Sequence, residues 1–207
     1  MAFKDNFRGD SAYTQIMTKI FNIFWLSILW LLCCIPVITI GASTIALYYV
    51  MLKLVKDEET TVTREFFHSF KQNFLQSLPV TVIVLVVVVV LVADFHILGA
   101  AGRAQGASFM YGFCIVLGII CAAVFSYVFP LLAKFENTVK KTFENGASHI
   151  GQTLVITVVN LFPVLWFLIS PQTFSAIFWI WVFVGGGVQA FVNSLFLVKI
   201  FDRLAEA

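Results

Sequence analysis

Three carboxamide side chains, Asn160, Gln189 and Asn193, sit inside long apolar runs. An amide in hydrocarbon is expensive unless it finds a hydrogen-bond partner. Gln189 and Asn193 are four residues apart and prolong a stripe that begins at Gly185, so they share one helix face. Their expected partners are Asn160 or a neighbouring backbone carbonyl. Such a cluster serves either as a packing seam between helices or as the lining of a narrow polar path, and both readings stay open. Asp94 and His96 look at first like a proton-handling pair, but they fall at the end of a run and read as interfacial. An ion-coupled carrier would place an acidic residue near the middle of a run, and none is found there. Cys33, Cys34, Cys114 and Cys121 lack CxxC or Cys/His spacing and read as inert packing thiols. His68 and His149 have no second ligand at metal spacing. HExxH, GxSxG, a P-loop glycine pattern and paired carboxylates within a run are absent. The expectation is a non-enzymatic chain with no catalytic residue, no metal site and no cofactor.

The elements that hold these residues follow from composition. Of 207 residues, 60% are apolar and 12% charged, against about 45–50% and about 25% in soluble domains, and the mean hydropathy is +0.96. A water-soluble enzyme and a disordered regulator are excluded, and a net charge of +2 gives no basic footprint for nucleic acid. The chain reads as an integral membrane protein whose first partner is the lipid bilayer. With about 20 apolar residues per crossing, spans are expected near 20–37, 40–55, 77–97, 107–132, 150–169 and 175–198. The first run ends Cys33-Cys34-Ile35-Pro36 without a small-x-small cleavage site, and so reads as a span, not a leader. Span 40–55 is short and follows Pro36 and Gly41, so it either crosses fully or is a re-entrant arm. Six crossings with the N-terminus inside place twelve of the 13 basic residues on the cytoplasmic side, leaving Arg103 outside. Omitting span 40–55 spoils that asymmetry. The predicted fold is all-α: one integral membrane domain over 1–207, a polytopic bundle of six transmembrane helices with both termini cytoplasmic.

Two cytoplasmic amphipathic helices complete it. Phe66, Phe70 and Phe74 recur every four residues, with Arg64, His68, Lys71 and Gln72 facing elsewhere. Phe135, Val139, Phe143 and Ala147 repeat the pattern, with Lys134, Lys140, Lys141 and Glu144 turned away. The candidate surface for a partner or lipid is therefore Phe66, Phe67, Phe70, Lys71 and Phe74 together with Phe135, Val139, Lys140, Lys141 and Phe143. A shift of 76 positions aligns Phe67 with Phe143, Gln76 with Gln152 and Thr81 with Thr157. It suggests a parallel repeat of units about 40–98 and 107–170, flanked by the first and last spans. Small residues at intervals of four, Cys114/Gly118/Ala122/Ser126 and Gly186/Ala190/Ser194, are expected as helix-packing seams.

Leu31-Leu32-Cys33-Cys34-Ile35-Pro36-Val37-Ile38-Thr39-Ile40-Gly41-Ala42-Ser43-Thr44, Ala46-Leu47-Tyr48-Tyr49-Val50, Asp57-Glu58-Glu59 and Phe66 to Phe74 strongly resemble the YesL family of bacterial membrane proteins, a domain of unknown function. The closing Ala190-Phe191-Val192-Asn193-Ser194 and Lys199-Ile200-Phe201-Asp202 are similar too, whereas 94–130 is looser and Gly146-Ala147-Ser148-His149 departs from the pattern. The resemblance implies a small polytopic protein of the Gram-positive cytoplasmic membrane, from genes that often neighbour carbohydrate ABC importers and two-component sensors. It brings no catalytic residues. The expected function is an accessory or regulatory component of carbohydrate ABC import, with importer subunits or a second copy of the chain as protein partners. The alternative is a stand-alone small-solute permease or channel-like carrier lined by Asn160, Gln189 and Asn193.

Overall fold

The computed structural model describes residues 12–58, 61–101, 107–134, 160–162, 166 and 169–205. Among them the chain is helical, with no strand. Helix α1 covers Ala12–Cys33, and a 3-10 turn at Val37–Thr39 leads into α2, Ile40–Val55. Then come α3, Val62–Ala101, and α4, Ala107–Lys134. Helix α5, Pro171–Ile180, passes through a π-helical turn at Trp181–Gly185 into α6, Gly186–Ala205. Among the described residues four segments are long and apolar enough to cross a membrane: Thr14–Cys33, Val37–Val55, Val62–Asp94 and Ser175–Val198. Helix α4 occupies the fourth expected span and contains the shorter apolar stretch Gly112–Cys121. The fifth expected span, 150–169, lies largely outside the described residues, as does the stretch 135–159 of the second repeat unit.

Large apolar side chains cover the outside of the bundle, including Ile16 and Phe21 on α1, Val86, Val89 and Val92 on α3, Phe113 and Val116 on α4, and Trp179 and Ile180 on α5. That surface fits hydrocarbon and not water. The core lies around α2, which packs against α1, α3, α4 and α6. Buried residues occur on every side of it, among them Ala42, Ile45, Leu47, Val50, Met51 and Leu54. The segment whose crossing was in question from sequence is thus the centre of the bundle. It runs unbroken and antiparallel to α1: Trp30 Nε1 donates to Thr44 Oγ1 at 3.3 Å near one end, and Lys19 pairs with Asp57 near the other.

Two short connections set that register. At the α1–α2 turn the Thr39 hydroxyl hydrogen bonds to the carbonyls of Cys33 and Pro36, closing the chain where Pro36 prevents helix continuation. Helix α1 therefore ends at Cys33, earlier than the expected 37. At the far end of α2, Asp57 has a positive φ of 56°. The Glu58 N–H bonds to Lys53 O at 3.1 Å and the Asp57 N–H to Leu54 O at 3.4 Å, a Schellman cap with aspartate in the left-handed position.

Helix α3 corrects a boundary. A separate amphipathic helix followed by a span at 77–97 was expected, yet one 40-residue helix runs through Pro79, roughly 60 Å at the standard rise. Proline removes one backbone donor but does not end a helix that is packed on both sides of it. Here Gly41 of α2 lies against Ser77 and Thr81, where an added Cβ would meet Ser77 Cβ at 3.2 Å. Ser77 Oγ donates to Phe74 O at 2.9 Å and Thr81 Oγ1 to Ser77 O at 2.8 Å, so hydroxyls on either side of Pro79 are satisfied on the helix itself. Gly187 gives α6 a similar close approach to α1, beside Ser27 and 2.8 Å from Ile23 O at the position of an added Cβ.

Candidate functional site

The carboxamides meet where α6 passes α2. Gln189 and Asn193, one turn apart on α6, both point at Asn160: Gln189 Nε2 and Asn193 Nδ2 each donate to Asn160 Oδ1 at 2.7 Å. Asn193 Nδ2 also donates to the Tyr48 hydroxyl at 3.0 Å, so the cluster is tied to the central helix. Asn193 is fully buried and Tyr48 is 7% exposed. The π-helical turn and the following glycines position this face. Gly186 and Gly187 turn toward Trp30 and Ser27 of α1, while Gln189 and Asn193 face Asn160 and Tyr48. Of the expected seam on α6, Ala190 and Ser194 are buried. Asn193 Oδ1 and Ser194 Oγ are buried without a hydrogen-bond partner among the described residues.

The cluster carries no formal charge. Asn160 Oδ1 accepts twice and Asn193 Nδ2 donates twice, which is a chain of neutral hydrogen bonds. Tyr48 and Asn160 also border a cavity of about 370 Å³ between α2, α3 and α4. Its other walls include Thr44, Val84, Val87, Val88, Leu91, Gly118, Cys121, Ser126 and Phe129. The Thr44 hydroxyl is already used, donating to Ile40 O at 2.7 Å and accepting from Trp30. Gly118 does not make a tight seam: among the described residues a Cβ there would touch only Leu91 Cδ1, at 3.8 Å. What this arrangement can do is hold helices together or hydrogen bond a neutral molecule; no member is a nucleophile beside a base.

Charge is gathered at one end of the bundle. Lys53 Nζ lies 2.9 Å from Glu65 Oε2 and 4.5 Å from the centre of the Tyr49 ring. A smaller cavity of about 130 Å³ there is bordered by Tyr49, Lys53, Lys56, Glu58, Ala133 and Val198. Among the described residues no group of three His, Cys, Asp or Glu could hold a metal ion.

The first amphipathic segment divides differently from the expectation. Phe66 is fully buried in the core formed with Met51, Leu54 and Val62, and its ring stacks on Phe70 at 6.3 Å, which in turn meets Phe74 at 6.0 Å. That stripe faces α2, so Phe66 does not form an external docking surface. Phe67 on the other side is 40% exposed and Leu75 is 77% exposed, with Arg64, His68 and Lys71 also exposed. Phe135, Val139, Lys140, Lys141 and Phe143 lie outside the described residues. Asp94 is half-buried and His96 exposed. Tyr48 is the member that sequence reasoning missed. Its signal was the spacing Gly41, Thr44, Tyr48, which puts the polar and small residues of α2 on neighbouring turns.

No curated protein and no solved structure matches the chain. Residues 23–95, which supply Trp30, Thr44 and Tyr48 but not the three carboxamides, match a family described as a protein of unknown function, DUF624.

Proposed function

We propose that the protein is a non-enzymatic accessory or regulatory component of carbohydrate ABC import in the cytoplasmic membrane of a Gram-positive bacterium. In this reading it crosses the membrane six times, with both termini cytoplasmic. The process is taken from the resemblance to YesL proteins. The observation that supports a partner surface is the outward strip of α3, where Phe67 and Leu75 are exposed beside Arg64, His68 and Lys71 while Phe66 is spent internally. Exposed apolar side chains interleaved with cations suit an intracellular protein face or anionic headgroups. The test is Phe67→Ser combined with Leu75→Ser. Importer subunits are expected to be lost from a mild-detergent purification while the amount of folded protein stays the same; undiminished recovery removes this strip from the interface.

A second reading has its own observation. The convergence of Asn160, Gln189 and Asn193 beside a cavity supports a small-solute permease. It predicts that Gln189→Leu abolishes uptake without lowering the folded protein in the membrane. Loss of protein together with uptake indicates a packing role.

A further inference from the structure

The wall of the 370 Å³ cavity is unevenly made. Val84, Val87, Val88 and Leu91 of α3 and Phe129 of α4 give it a largely apolar lining, to which Thr44, Tyr48, Ser126 and Asn160 add a few polar groups. At Tyr48 and Asn160 the hydrogen-bond inventory is incomplete. The Tyr48 oxygen accepts from Asn193, and its own hydrogen has no acceptor among the described residues. Asn160 Oδ1 is filled by two donors, which leaves the Asn160 amino group without an acceptor there. A donor on a residue as enclosed as Tyr48 is normally satisfied. A charged ligand is disfavoured, because among the described residues no Asp, Glu, Lys or Arg borders the cavity to offset its desolvation. A sugar, with hydroxyls on every side, would leave most of them against valine and leucine. Val88 is about half exposed on the lipid-facing side of α3, so a molecule dissolved in the bilayer can reach the space laterally.

We infer that this cavity binds an uncharged lipophile carrying a hydroxyl group, whose hydrocarbon body lies along α3 and α4 and whose hydroxyl meets Tyr48 and Asn160. A hydroxyl both donates and accepts, so it completes the network in whichever direction the amide hydrogen bonds run. The inference is independent of the importer reading, which uses the opposite strip of α3.

The probe is a long-chain alkanol bearing a diazirine, compared with the diazirine alkane of equal length. Both are photolysed with the full-length protein in phosphatidylglycerol/phosphatidylethanolamine nanodiscs and mapped by mass spectrometry. The alkanol is expected to enrich over the alkane at Leu91 and Phe129 but not at the outward-facing Val89 and Ile120. Gly118→Leu, which grows a side chain into open space, removes that enrichment. Tyr48→Phe lowers it about fivefold, the effect of one net hydrogen bond. Helical content and melting temperature are measured for both variants. Equal labelling by the two probes, absence of labelling at Leu91 and Phe129, or enrichment that survives Gly118→Leu in a folded protein overturns the inference.

Discussion

Replacement of Asn193 by leucine removes two donated hydrogen bonds at once, to Tyr48 at 3.0 Å and to Asn160 at 2.7 Å. Interhelical hydrogen bonds in membrane proteins average about 0.6 kcal/mol and reach about 1.7 kcal/mol. The two together are thus worth roughly 1–3 kcal/mol. Two features reduce the net loss. Asn160 Oδ1 keeps its bond from Gln189, and the buried Asn193 Oδ1, which has no partner among the described residues, disappears with the amide. The expected destabilisation is therefore about 1 kcal/mol. Steric-trap unfolding in bicelles measures it, and a double-mutant cycle with Tyr48→Phe isolates the 48–193 bond. The cycle is expected to give a coupling of about 0.6 kcal/mol. A coupling indistinguishable from zero, or an Asn193→Leu protein more stable than the parent, refutes the argument that this bond ties α6 to the central helix.

Gly187→Ala is expected to destabilise by about 1–3 kcal/mol, because the new Cβ presses on a backbone carbonyl that moves only with α1, whereas Gly118→Ala has only a Leu91 methyl at 3.8 Å to meet and should melt like the parent. Lys53→Met breaks the pair with Glu65 and the contact with Tyr49; for a partly exposed pair the loss should be below about 1 kcal/mol and should shrink in high salt, as read from melting at two ionic strengths. In a variant without native cysteines, a thiol replacing Glu58 should react in intact cells only with a membrane-permeant maleimide, and one replacing Ile97 also with an impermeant one. Reversed labelling would turn the bundle over.

The carboxamide cluster was legible because amides in an apolar run have few ways to be satisfied, and a four-residue spacing puts two of them on one face. Tyr48 was not, since a tyrosine in a membrane segment reads equally as an interfacial anchor; only the fold shows that it is buried against Asn193. The phenylalanine stripe at 66, 70 and 74 was expected to meet lipid or a partner. Periodicity does not say what covers an apolar face, and Phe66 is covered by α2 of the same chain. The boundary near 77 failed for a related reason. A shift from polar to apolar residues together with Pro79 signals a break in an isolated helix, but α2 braces α3 on both sides of the proline. The central place of α2 was hidden because a short run rich in Gly, Ser and Thr looks like a weak span, and those same small residues permit the close approach of α3 at Gly41.

The central proposal is that the chain works by binding an import system. The direct measurement is a mild-detergent pull-down of the tagged, full-length protein from its native membranes, with quantitative mass spectrometry of what is recovered. Importer permease or ATPase subunits, or the associated sensor, are expected in near-equal amounts with the tagged chain. Recovery of the chain alone, as a monomer or with copies of itself, would contradict it.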